Sequence, residues 1–243
     1  MQASELGLTR VRVRELLEFF DEKPPTSAKH ATSVTAVVGE DLGSGLLKHC
    51  LEQVHGAHVD ILHDADLRPL KVTTGQKKGP RLDRWIKVAW ADGTTTLFQS
   101  EIKSWSAHAV GGRSLSVSAD ASLVSDHMRA QWEGMIGSLG GSQNKINKVL
   151  IPMRPPHSLP AAQVAPLLVY WSVVHPEGKD ESFFWHSLTP QQHPDGYAAA
   201  FDRLAVFSMS TYLRSVLRSQ KDTIELWMPD TASRMKWLNA IFQ

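Results

Sequence analysis

Leu82-Asp83-Arg84-Trp85-Ile86-Lys87-Val88-Ala89-Trp90, then Ala91-Asp92-Gly93, then Thr94-Thr95-Thr96-Leu97-Phe98-Gln99-Ser100-Glu101-Ile102-Lys103 is the stretch that decides the fold. Two runs rich in β-branched and aromatic residues flank an Asp-Gly pair. Glycine accepts the positive φ that a tight turn needs, so the stretch is expected to form a β-hairpin. Side chains alternate along a strand, which places Gln99, Glu101 and Lys103 on one side of the second strand and Ile102 on the other. Asp83 stands at the foot of the first strand, and antiparallel pairing returns that foot to the end of the second. Two carboxylates and an amine then converge, an arrangement suited to a metal ion.

Working outward, residues 36–54 are expected to form a helix, with Val38, Leu42, Leu46, Leu47, Leu51 and Val54 near helical spacing. Gly43 and Gly45 weaken it by about 1 kcal/mol each relative to Ala, unless they permit close approach to a neighbouring backbone. Glu40 lies in its first turn, where the helix dipole favours an anion whether or not it holds a metal. Residues 57–62 are a short strand and 63–79 a polar loop. Beyond the hairpin, 104–113 is rich in Ser and Gly, and Asp120 caps an amphipathic helix that runs to Leu139 and stops at Gly140-Gly141. Strands are expected at 148–151 and 166–174, the second apolar enough to be central in a covered sheet, with a Pro-rich loop at 152–160. Near the start, 9–20 is expected as a helix capped by Thr9, ended by Pro24-Pro25. Near the end, 207–217 is expected as helix, 224–227 as strand and 231–242 as a closing helix. The pattern alone predicts an α/β fold, a mixed central sheet flanked by helices.

An Asp opening a hairpin and a Glu-x-Lys closing it, after a helix that carries Glu40 within Gly39-Glu40-Asp41-Leu42-Gly43, resembles the PD-(D/E)XK nuclease superfamily. The likeness covers the order of elements from about residue 34 to 151 and rests on four side chains. The family's Pro stands directly before its Asp; here Pro80 stands three positions before Asp83. The resemblance implies a restriction-endonuclease-like α-β-β-β-α-β core. It also implies a magnesium site, with manganese as substitute, held by Asp83, Glu101, the carbonyl of Ile102 and Glu40. Mg²⁺ suits carboxylate oxygens and keeps waters of its own, one of which can attack a phosphodiester. Lys103 would orient that water or offset developing negative charge. For substrate, Gln99 faces the same side, while Arg81 and Arg84 flank Asp83 and form a basic patch with Lys77, Lys78 and Lys87. Trp105, His108 and Arg113 follow the second strand and fall near the cleft rim. Gln131 on the following helix is carried over from the family.

Composition sets the bounds. A chain of 243 residues, 42% hydrophobic and 21% charged, is long enough for one large domain, or for one domain with a small appendage. The division expected is 1–30 as an N-terminal helix and linker and 31–243 as a single nuclease-like domain with a C-terminal α/β extension. Net charge of +1 restricts any nucleic-acid contact to a local patch. The single cysteine, Cys50, excludes an intrachain disulfide framework and a multi-cysteine zinc site. No signal-peptide pattern opens the chain and no apolar run reaches the ~20 residues of a membrane span, so a cytoplasmic protein without membrane contact is expected. The reading that unites these features is a metal-dependent DNA endonuclease, with RNA also open as substrate. Such an enzyme would serve restriction, repair or defence against foreign DNA and act as a homodimer or with a partner protein that supplies targeting. The plainer readings are a solvated strand face for Glu-x-Lys and turn chemistry for Asp83. Two other functions stay open: an inactive nucleic-acid-binding module of the same fold, and an interaction subunit that docks through its tryptophans and the run Phe183-Phe184-Trp185.

Overall fold

The computed structural model describes residues 6–22, 28–62, 83–103, 162–173, 175, 177–187 and 203–229. Its elements are, in order, β1 (Leu6–Arg12), α1 (Val13–Glu22), α2 (Ala28–His55), β2 (His58–Leu62), β3 (Arg84–Ala89), β4 (Thr95–Lys103), β5 (Ala162–Tyr170), β6 (Phe183–Ser187), β7 (Arg203–Ser208), α3 (Met209–Arg218) and β8 (Thr223–Pro229). The hairpin forms as expected. Trp90 N–H donates to the Thr94 carbonyl at 2.8 Å, Gly93 takes φ +82, and Asp92 Oδ1 accepts from Thr94 N–H at 2.9 Å.

β3 and β4 belong to a mixed six-stranded sheet of order β2-β3-β4-β5-β7-β6. The central strands β4, β5 and β7 run parallel, while β2 pairs antiparallel to β3, β3 to β4, and β6 to β7. Leu167, Leu168, Val169 and Tyr170 in β5 and Leu204 to Phe207 in β7 are all buried. Strands covered on both faces have no polar side to show, which is why both read as unbroken apolar runs.

α2 crosses the face that presents Ile86, Val88, Phe98, Ile102, Val169 and Phe207, sharing one core with them through Leu42, Leu46 and Leu51. On the same face Ala165 and Ala205, beside Phe98 and Trp185 in register, leave room for those two rings to meet at 5.6 Å above them. Residues 41–47 of α2 are buried on every side, because the sheet lies beneath the helix and β8 packs against it as well. Gly43 is the point of closest approach: a Cβ there would stand 2.8 Å from Ile102 Cγ2 and 3.3 Å from Val169 Cγ1. The glycine serves contact with side chains of the sheet, not with a neighbouring backbone.

Several boundaries differ from the sequence reading. Residues 9–20 divide. Leu6–Arg12 is a strand paired antiparallel with β8, and the helix begins only at Val13, so Thr9 is no N-cap. The alternation is visible afterwards, since Val11 and Val13 are buried while Arg10 and Arg12 are exposed. Arg10 pairs with Glu225 at 3.3 Å and Arg12 with Glu15 at 2.7 Å. α2 is longer than 36–54, starting at Ala28. β5 occupies 162–170 where 166–174 was expected. Pro166 sits inside it, just before the residues where β7 joins, so its missing N–H falls where one flank is still unpaired. The helix expected at 207–217 starts at Met209, after the strand β7, and the Ser208 side chain caps it by accepting from Thr211 N–H. The segments 63–79, 104–160 and 231–242 lie outside the described residues. Among those described, no helix is long and apolar enough to cross a membrane.

Candidate active site

β3 starts at Arg84, opposite Ser100, so β4 continues three residues past the end of its pairing with β3. Asp83 fills the next position. Its N–H donates to the Ser100 carbonyl at 3.2 Å, and its Oδ2 accepts from the Ile102 N–H at 2.7 Å. The peptide that carries that N–H is the one joining Glu101 to Ile102, so the Asp83 carboxylate lies against the backbone of the Glu-x-Lys motif. A carboxylate has about four lone-pair sites, so accepting one N–H does not exhaust it as a ligand. Ile102 faces α2, as its contact with Gly43 requires, and Glu101 and Gln99 share the opposite side.

Glu101 is 6% exposed and Gln99 1% exposed, in the middle of the sheet. Burying a carboxylate costs several kcal/mol, an outlay a purely structural central strand avoids by being apolar. β4 carries four buried polar residues, Thr96, Gln99, Ser100 and Glu101. The last three fall together next to Asp83, where the strand would be expected to match the apolar β5 and β7.

A second link ties this corner to α2. The Arg84 guanidinium donates to the Asp83 carbonyl at 3.0 Å and to Asp41 Oδ1 at 3.0 Å, and stands 3.4 Å from Glu40 Oε2. Asp41 is 2% exposed, whereas the Glu40 side chain keeps 37% of its surface. Arg84, expected to contact phosphate, is thus engaged within the protein, joining the helix acids to the residue that starts β3. Glu40, expected as a metal ligand, faces this guanidinium. Among the described residues, no group of three or more His, Cys, Asp and Glu side chains stands close enough to hold a metal ion. The structure therefore brings Asp83 to the Glu101–Ile102 peptide and brings Glu40 and Asp41 to Arg84, as two adjoining clusters. Lys103 pairs through its backbone with Tyr170, its side chain lying outside the description. Arg81, Trp105, His108, Arg113 and Gln131 also lie outside it.

The Asp41–Arg84 pair escaped the sequence reading, because residues 43 apart meet only once α2 is laid on the sheet. The one available signal was an acid heading the run 41–47, most of it apolar or small. Elsewhere, Cys50 is fully buried with Sγ 3.5 Å from Ser182 Oγ, and burial pushes its thiol up to about 11. A thiol protonated at neutral pH is no nucleophile. No family model matches the chain, nor does any curated protein or solved structure.

Proposed function

We propose that this chain is a metal-dependent DNA endonuclease with a restriction-endonuclease-like core. The observation that carries the reading is the Asp83 carboxylate held 2.7 Å from the N–H of the Glu101–Ile102 peptide, beside a buried Glu101. The architecture supports it: α2, β2, β3 and β4 follow one another, and the next described strand, β5, lies parallel to β4. A parallel neighbour demands a crossover, and the helix expected at 120–139 is the natural candidate for it.

In this reading Asp83 and Glu101 bind Mg²⁺, or Mn²⁺ in its place, with the Ile102 carbonyl as a further oxygen donor. When bound, such a cation would supply an acidified water and positive charge to offset the departing oxyanion. Lys103 holds the attacking water or the phosphate, and Gln99 lines the same side. Arg84 positions rather than binds, fixing Asp83 through its carbonyl and α2 through Asp41. Arg81, Trp105, His108, Arg113 and Gln131 serve the substrate. The setting is cytoplasmic restriction, repair or defence against foreign DNA, with targeting from a homodimer or a partner protein.

The test is incubation of the purified chain with plasmid, linear and single-stranded DNA and with RNA, in Mg²⁺, Mn²⁺ or EDTA. Cleavage of DNA that needs the metal and falls by about 100-fold or more in Asp83→Asn, Glu101→Gln and Lys103→Ala, at unchanged circular dichroism, is the expected result. Salt-sensitive binding without cleavage would replace it with the inactive binding module. That second reading has one observation in its favour, the diversion of Glu40 to Arg84.

A further inference from the structure

Away from the acids, a groove of about 530 Å³ opens where the C-terminal end of α2 meets β6. Phe183, Phe184, Trp185 and His186 all line it. Consecutive strand residues point to opposite faces, so a groove that touches four in a row must follow the edge of the strand. Among the described residues β6 is an edge strand: of the described strands only β7 pairs with it.

The wall is aromatic. Trp90 and Phe183 have ring centroids 6.0 Å apart, and His55 stands edge-on to both, at 6.5 and 5.6 Å. On the rim, Glu177 pairs with Lys179 at 2.6 Å and Asp180 pairs with Arg218. Glu181, half exposed, stands 3.9 Å from the His175 imidazole and within electrostatic reach of Lys179 and His55, while Lys179 itself is paired with Glu177. His175 Nδ1 accepts the Glu177 N–H at 3.1 Å, and burial lowers the proton affinity of both His175 and His55. Both rings are therefore neutral at pH 7, and the rim is left with one carboxylate in excess. Aromatic faces beside a rim with more carboxylates than cations favour a cation, and a guanidinium combines stacking with paired donors to a carboxylate. The protein already uses this chemistry on the same strand, where the Arg203 guanidinium lies 4.0 Å from the centroid of the Trp185 ring.

We infer that this groove receives an arginine side chain of a partner polypeptide laid in extended form along the edge of β6 that no described strand pairs, with its guanidinium against the aromatic wall and Glu181. Main-chain bonds to the edge strand supply attachment, and the groove supplies the choice of side chain. The inference stands apart from the nuclease reading, because it needs none of Asp83, Glu101 or Lys103.

The test titrates the isotope-labelled full chain with an acetylated, amidated Val-Thr-Arg-Thr-Val peptide and follows the Trp90 indole N–H and the β6 amides by NMR. Three controls accompany it: the same peptide with citrulline for arginine, N-acetyl-arginine amide, and the variant Glu181→Gln, an exposed change that leaves the fold intact. The arginine peptide is expected to shift these signals and to bind about fivefold or more tighter than the citrulline peptide, an advantage lost in Glu181→Gln. Equal binding of the citrulline peptide, or an arginine advantage that survives Glu181→Gln, overturns the guanidinium assignment. Equal binding of N-acetyl-arginine amide overturns the strand-edge partner. Absence of shifts at about 10 mM peptide overturns the site.

Discussion

Gly43→Ala sets two effects of similar size against each other, and the structure decides between them. In the interior of a helix the change from glycine to alanine gains about 1 kcal/mol through lost backbone freedom in the unfolded chain. The new methyl, however, would stand 2.8 Å from Ile102 Cγ2, well inside contact distance. Overpacking of that kind costs about 1–3 kcal/mol when the neighbour cannot retreat. Ile102 has little room to do so: its N–H is bound by Asp83, its strand is paired with β5, and its side chain branches at Cβ. Gly43→Ala is therefore expected to destabilise by about 1 kcal/mol net, read as a lower midpoint in urea at unchanged slope. Ile102→Ala removes the obstructing methyl and by itself costs about 2–5 kcal/mol. In that background Gly43→Ala should reverse sign and stabilise by about 1 kcal/mol. Should Gly43→Ala stabilise the otherwise unaltered protein as much as it stabilises Ile102→Ala, the close approach of α2 to β4 is wrong.

Other outcomes follow from neighbouring residues. Asp83→Ala should cost about 1.5–3 kcal/mol of stability by removing a charged acceptor from the Ile102 N–H, whereas Asp83→Asn, which keeps an acceptor oxygen, should cost less; chemical unfolding of both variants checks the order. Arg84→Met strips Asp41, 2% exposed, of its guanidinium, and a loss of about 3 kcal/mol is expected, with Arg84→Lys only partly restoring it because an ammonium does not reproduce the fork. Acidification from about pH 7.5 to about pH 5.5 should lower the melting temperature. Burial depresses the proton affinity of His49, His55 and His175, so the unfolded chain takes up protons first and stability falls as pH drops through the ordinary histidine range. His49 is held by the Tyr212 hydroxyl, 2.6 Å from its Nδ1; a scan of His49→Gln should show a shallower slope over that interval.

What the residues reveal unaided depends on whether the signal is local. The hairpin was legible because Asp92 and Gly93 dictate the turn and the flanking runs dictate strands. β8 and the body of α2 were legible for similar reasons. β1 was misread because Leu16 and Leu17 mark a helix whose pattern was extended backwards over Arg10-Val11-Arg12-Val13, whose period is two. A strand whose partner lies more than 200 residues later leaves no local trace beyond that alternation. β7 failed for the opposite reason: Leu204-Ala205-Val206-Phe207 is buried on both faces, and an unbroken apolar run does not distinguish strand from helix. Among the site residues, the side shared by Gln99 and Glu101 and the return of Asp83 to them followed from strand geometry. The pairing of Arg84 with Asp41 did not, since it depends on the height at which a helix crosses a sheet.

The ribbon of β1 with β8 also governs when this protein becomes itself during synthesis. Residues 6–12 leave the ribosome well before their partners, 223–229, which emerge roughly 10–40 s later at ordinary elongation rates. Through that interval Val11 lacks Ile224 opposite it, and α2 lacks the strand that packs against it. A nascent chain stalled before residue 223 therefore carries a waiting, half-dressed helix, and β8 acts as the clasp.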